Sequence, residues 1–178
     1  MAGDVLINGS ESMNRRLFEH IRHQFRLDLH GIHGIAHWSR VQYFGLKIAK
    51  EENARPDVVK LFALLHDSQR VSDKYDPEHG NRAVAFAHEI RGELFDLDNH
   101  GFDLLCEALA EHSNGLTEAD VTVQTCWDAD RVDLGRIGVY PNTKFLCTST
   151  AKDPAFIHRA WAMTRYADKP LNNFVINP

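Results

Sequence analysis

The chain is poor in everything that would place it outside a reducing, aqueous compartment. It has three cysteines, Cys106, Cys126 and Cys147, odd in number and widely spaced. They make neither a disulfide framework nor a CxxC zinc site, so a cytoplasmic location is expected. No stretch approaches the ~20 apolar residues that span a bilayer. The opening "MAGDVLINGSES" has neither the basic region nor the apolar run of a signal peptide. No membrane partner is therefore expected. Positive charge is also scarce: 20 Lys and Arg stand against 25 Asp and Glu, a net charge of -5. Nucleic-acid binding usually shows as a basic surplus, so no such polymer is expected as a partner. Repeats, low-complexity tracts and linkers are lacking. Strand signals are weak; "VTVQT" alternates but is too short to outweigh the helical stripe around it.

What is there is an ordinary quantity of apolar residue and an unusual quantity of histidine. The 178 residues are 43% apolar, which suits one domain over 1–178 with a full-sized core. Histidine occurs 11 times, enough to make the placing of each one informative.

The periodicity predicts an all-α chain, a compact single-domain bundle of about six to eight helices. A first helix over 11–28 carries Leu17, Ile21 and Phe25 at four-residue spacing, and "LHGIHG" breaks it. A second over 35–52 aligns His37, Val41, Phe44 and Ile48. Pro56 opens a third, with Val58, Val59, Phe62, Leu65 and His66 on one face. In "DPEHG", Asp76 reads as an N-cap and Pro77 as the first residue of a helix reaching about Arg91. A fifth helix over 102–112 aligns Leu105, Ala108, Leu109 and His112. Thr117 reads as the cap of a sixth, aligning Val123, Cys126, Asp130 and Leu134. A Gly/Pro-rich loop over 135–143 follows, and Asp153 and Pro154 open a last helix over about 154–166.

The ionisable residues fall where those stripes should be buried. "LFALLHDSQR" delivers His66 and Asp67 directly after five apolar residues. His37, His112 and Asp130 lie on the apolar faces of their helices, and His79 lies in the first turn of another. Burial penalises each of them unless something pairs with it. A cation removes the penalty, since neutral imidazole and carboxylate become its ligands. Nitrogen and oxygen donors without thiolate suit Mn, Fe, Co, Ni or Zn. Six donors are too many for one metal with an open position and about right for two sharing a carboxylate.

In that order, His37, His66-Asp67, His79, His112 and Asp130 resemble the H…HD…H…H…D signature of the HD superfamily of metal-dependent phosphohydrolases. "HWSRV", "ALLHD", "EHG" and "DADRVD" are similar to that family's local contexts, over roughly 33–135. The resemblance implies a first divalent metal on His37, His66, Asp67 and Asp130. Asp67 would bridge to a second on His79 and His112, with His66 and Asp67 counted as catalytic. It implies hydrolysis of a phosphate ester or anhydride, possibly of a nucleotide, by metal-bound hydroxide. The partner would be a small phosphorylated molecule.

Two other classes share this donor set: a di-iron oxygenase, for which myo-inositol oxygenase is the pattern, and a binding module that kept metal but lost turnover. Arg70, Lys74 and Arg131 are the cations nearest the motifs and are expected to hold phosphate. Asp130 could instead be paired with Arg131 or Arg136. His33 is either a substrate contact or a loop histidine beside Gly34; His30 is incidental. Asp133, near Asp130, either holds a ligand histidine in its tautomer or is a surface charge. The oligomeric state stays open, a homodimer included.

Overall fold

A computed structural model describes residues 9–166, with side chains over 15–165. Among the described residues there are eight α-helices and no strand. They are α1 (Gly9–Gln24), α2 (Ile35–Glu52), α3 (Pro56–Leu65), α4 (His79–Ile90), α5 (Asn99–Glu111), α6 (Val121–Arg131), α7 (Ser149–Lys152) and α8 (Pro154–Tyr166). Tight 3-10 turns cover Val132–Ile137 and Thr143–Phe145. None of the described helices is long and apolar enough to cross a membrane.

α2 runs through the middle and packs on α3 and α6. Gly45 permits that approach: a Cβ there would lie 2.6 Å from Val59 Cγ1 and 3.2 Å from Ala129 Cβ. The main core gathers Leu17 and Ile21 of α1, Trp38 and Val41 of α2, Phe62 and Leu65 of α3, Leu105 and Leu109 of α5 and Trp127 of α6. A smaller one joins Phe44 and Ile48 to Val132, Leu146, Phe156 and Ile157, which seats α8 against the other side of α2. Asp128, fully buried, accepts from the backbone N–H groups of Cys147 and Thr148 and from Thr148 Oγ1, each at 2.8 Å. It ties the returning chain to α6.

Several expected boundaries move. α1 ends at Gln24, not at 28, because Asp28 turns the chain: its side chain accepts from the His30 N–H and its carbonyl from Gly31. Phe25 still donates its N–H to the Ile21 carbonyl and packs edge-on to Trp38. Asp76 is not a cap. It accepts from Val71 N–H and from Arg82, and α4 starts at His79 after Glu78. α5 starts earlier, at Asn99, capped by Asp98 through the Gly101 N–H. Asp120, not Thr117, caps α6. The 135–143 stretch is partly wound, since the 3-10 turn continues α6 to Ile137.

Candidate metal centre

Three of the four expected ligand histidines stand at helix ends. His66 is the C-cap of α3, His112 the C-cap of α5 and His79 the first residue of α4. At each of these ends the imidazole turns its Nδ1–H onto a backbone carbonyl three or four residues back. His112 Nδ1–H donates to the Leu109 carbonyl at 2.8 Å, and His66 Nδ1–H to that of Phe62 at 3.2 Å. His79 Nδ1–H donates to the Asp76 carbonyl at 2.5 Å. His37, in the first turn of α2, donates to a side chain instead: Nδ1–H meets Asp133 Oδ2 at 2.7 Å. Asp133 is fully buried and also accepts from Arg40 Nε at 2.6 Å. Of its two earlier readings, the carboxylate that sets a histidine's tautomer is the one observed.

With all four Nδ1 atoms turned to acceptors, the Nε2 atoms face inward in pairs. His37 and His66 Nε2 lie 3.0 Å apart, and His79 and His112 Nε2 lie 2.8 Å apart. Asp67 stands between the pairs and divides its oxygens. Oδ2 is 3.5 Å from His37 Nε2 and 3.4 Å from His66 Nε2. Oδ1 is 3.6 Å from His79 Nε2 and 3.9 Å from His112 Nε2. Two triads therefore share one carboxylate: His37, His66 and Asp67, and Asp67, His79 and His112, all buried. Gly80 makes the second triad possible. A Cβ there would sit 2.5 Å from the Leu109 carbonyl oxygen and 3.0 Å from that of Ala110, so only glycine lets the start of α4 meet the end of α5.

One histidine pair is short of a proton. In the second pair, three contacts each need one: Nδ1 to Asp76, Nε2 to Nε2, and Nδ1 to Leu109. Two neutral rings carry two N–H groups. Burial lowers the pKa of both rings, His112 to about 4, so a third proton is disfavoured near neutrality. A cation bonded to both Nε2 lone pairs resolves the arrangement. The first pair makes the same three kinds of contact in richer surroundings. Burial and the Arg136 charge oppose a proton on His37, yet Asp130, Asp133 and Asp67 outweigh them and raise its pKa to about 9. Proton and metal thus compete for the same Nε2. Burial would raise the pKa of Asp67, but the neighbouring His66 and His37 hold it well below the usual carboxylate range. Asp130 is depressed in the same way, against its burial, by His37 and Arg136. Its Oδ1 is buried without a hydrogen-bond partner, 3.3 Å from His37 Nε2. A buried carboxylate oxygen with no hydrogen-bond partner among the described residues, facing an imidazole Nε2, fits a metal ligand.

The cations near the centre sort differently from their order in sequence. Arg131 turns away, donating through Nη1 to the carbonyls of Leu116 and Phe145 at 2.7 Å each, which does not fit the phosphate role expected of it. Lys74 stands exposed, with its backbone N–H on Ser72 Oγ. Arg70 is at the centre, its Nε 3.3 Å from Asp67 Oδ1. Arg136, considered from sequence only as a partner for Asp130, places Nη2 3.6 Å from Asp130 Oδ1. His33 is buried, with Nδ1 on Asp73 Oδ1 at 2.8 Å, and burial lowers its pKa. The charges of Asp67, Arg70 and Arg136 all act on that ring.

Curated proteins and solved structures yield no significant match. The family model for the HD domain matches residues 34–135, more than half of the chain. That span encloses both triads, Asp130 and the Asp133 that orients His37, and with it the chain belongs to the HD domain family.

Proposed function

We propose that the protein is a metal-dependent phosphohydrolase acting on a phosphate ester or anhydride, with nucleotides among the substrates. The observation that carries the reading is the sharing of Asp67 between two buried histidine pairs whose Nε2 atoms face each other. His37, His66, Asp67 and Asp130 would hold one divalent ion, and Asp67, His79 and His112 a second. The donor set suits Mn, Fe, Co, Ni or Zn. Bound there, the ions supply a water acidified towards neutrality and neutralise charge on phosphate oxygens.

The chain's own residues do the rest. Asp133 and Arg40 fix the tautomer and tilt of His37, which leaves its Nε2 free of a proton when a metal competes for it. Asp67, the ligand common to both triads, sets their spacing. The apolar body of α3 keeps the His66-Asp67 pair dry, which strengthens every charge interaction at the reacting group.

The test is a hydrolysis screen, reading every product by chromatography, of chelated protein reloaded with single metals. The panel holds phosphomonoesters, phosphodiesters, cyclic nucleotides and nucleoside triphosphates. Activity is expected with Mn or Co in anaerobic buffer and is expected to vanish in His66→Ala and Asp67→Ala. Iron-dependent oxygen uptake without hydrolysis would move the assignment to the oxygenase class. A metal-loaded protein inert to the whole panel would move it to a binding module.

A further inference from the structure

Five arginines lie around the centre, and three of them are satisfied by the protein. Arg40 is held by Asp133. Arg82 is held by both oxygens of Asp76 and by the Gln69 carbonyl. Arg131 is held by two carbonyls. Arg70 differs. Its Nε and Nη1 are buried and have no hydrogen-bond partner, and its side chain is only 12% exposed. Among the described residues its one charge contact is with Asp67, the carboxylate both triads use. A buried guanidinium left in that state is costly unless an anion completes it. Arg136 stands on the other flank. Nε and Nη1 donate to the carbonyls of Ile32 and Asp133, which locks the side chain. Nη2 is left 3.6 Å from Asp130 Oδ1, beyond hydrogen-bond range.

We infer that Arg70 and Arg136 form an anion-binding clamp across the metal centre, built for a terminal phosphoryl group and not for a phosphodiester. The inference rests on the phosphohydrolase reading and names the substrate class within it. Arg70 flanks the Asp67–His79–His112 side and Arg136 the His37–Asp130 side, so a group lying over both triads meets a guanidinium at each end. Guanidinium donors bind best to phosphate oxygens that the ions do not share. A terminal phosphoryl group has three non-bridging oxygens, whereas a diester has two. If two face the ions, the terminal group still offers the clamp an unshared oxygen, whereas a diester must share its two. Phosphomonoesters and nucleotides with a free terminal phosphate fit this count.

Two measurements on Mn-loaded full-length protein test the clamp. The first is the affinity of inorganic phosphate, by calorimetry, for wild type, Arg70→Gln, Arg70→Lys and Arg136→Gln. Each Gln variant should bind phosphate roughly tenfold more weakly or worse, with Arg70→Lys in between. Metal content should stay at the wild-type value. Arg70→Gln should keep the wild-type thermal midpoint, because Nε and Nη1 hold no hydrogen bond in the protein; a merely structural arginine would do the opposite. The second is the ratio of kcat/KM for 4-nitrophenyl phosphate over bis(4-nitrophenyl) phosphate, expected to favour the monoester in wild type and to collapse in both Gln variants. Unchanged phosphate affinity in Arg70→Gln with metal retained overturns the clamp, as does a wild type that prefers the diester. Either result leaves the phosphohydrolase reading standing, which fails only if wild type hydrolyses no phosphate ester or anhydride of the panel.

Discussion

Gly80→Ala should remove one metal and leave the fold. The new methyl would begin 2.5 Å from the Leu109 carbonyl oxygen and 3.0 Å from that of Ala110. Both obstacles are backbone, so neither can rotate aside. Ordinary contact begins near 3.4 Å, so the start of α4 must retreat from the end of α5 by about 0.9 Å. His79 is the residue next to Gly80, and its Nε2 lies 2.8 Å from that of His112. A retreat of that size approaches half of a metal–nitrogen bond of about 2.0–2.1 Å. One of the two imidazoles is then out of reach, and affinity for the second ion should fall by roughly 100-fold or more. Stability should respond far less. Overpacking costs about 1–3 kcal/mol, and replacing glycine by alanine in a helix returns about 1 kcal/mol. Metal analysis after gel filtration should give two equivalents for wild type and one for the variant, with urea midpoints of the chelated proteins close together. A variant that keeps two ions at wild-type affinity refutes the account of Gly80. A variant that loses both ions by unfolding shows that the glycine serves stability alone. Gly45→Ala is the counterpart: it forces α2 from α3 and α6, and should strike the His37–His66 ion first.

Asp133→Asn should weaken metal binding by about 10–100-fold through His37, and should cost about 3–5 kcal/mol in urea unfolding because Arg40 is left buried without its anion. Adding Arg40→Met should recover the stability but not the metal affinity; recovery of both would mean that Asp133 acts on the fold and not on His37. Asp128→Ala frees Cys147 and Thr148 and should lower the unfolding free energy by about 2–4 kcal/mol, with metal content of the folded fraction unchanged. In chelator, stability should peak near pH 6.5. The His112 ring, lowered to about 4 by burial, refuses a proton that the unfolded chain accepts, so stability falls as pH drops from about 6.5 to 4, by about 3 kcal/mol. The His37 ring, raised to about 9 by its carboxylates against its burial, contributes stability that is full below about 6.5 and is lost as pH rises through 9. Saturating metal should abolish the alkaline loss, and a flat urea midpoint from pH 4 to 9 in chelator would refute both assignments.

Five of the six candidate donors were legible in sequence because each violates a pattern; His79, in the first turn of a helix, does not. His37, His112 and Asp130 interrupt apolar stripes at helical spacing, and His66-Asp67 ends an apolar run. A buried polar group at a stripe position needs a partner wherever the helix goes, so the anomaly survives ignorance of the fold. The helix positions were legible for the same reason, and α2, α3 and α8 begin where their patterns begin. The caps were not. Asp76 and Thr117 look like N-caps locally, but Asp76 is taken by Arg82 and Val71, and Asp120 outcompetes Thr117. What sets the imidazole tautomers was also out of reach. The acceptors of His79 and His112 are carbonyls, which any residue supplies, and their use depends on where a helix stops. Gly80 carried no signal either, since its reason is a carbonyl 29 residues away at Leu109.

The arginines show why nearness in sequence misleads at such a site. Arg131 follows Asp130 directly, but successive residues on an α-helix point about 100° apart. If Asp130 faces the centre, Arg131 cannot, and it reaches the loop carbonyls of Leu116 and Phe145 instead. Arg136 is six residues on, and the tighter 3-10 winding from Val132 to Ile137 brings it back over Asp130. Arg70 succeeds for the same geometric reason. It lies three residues after Asp67, and its N–H donates to the Asp67 carbonyl at 3.1 Å, so the turn folds its side chain over the carboxylate. Spacing by a turn is not sufficient either: Arg40 and Arg82 follow His37 and His79 by three residues, yet Asp133 and Asp76 hold them, so a cation reaches this centre only where no carboxylate takes it on the way.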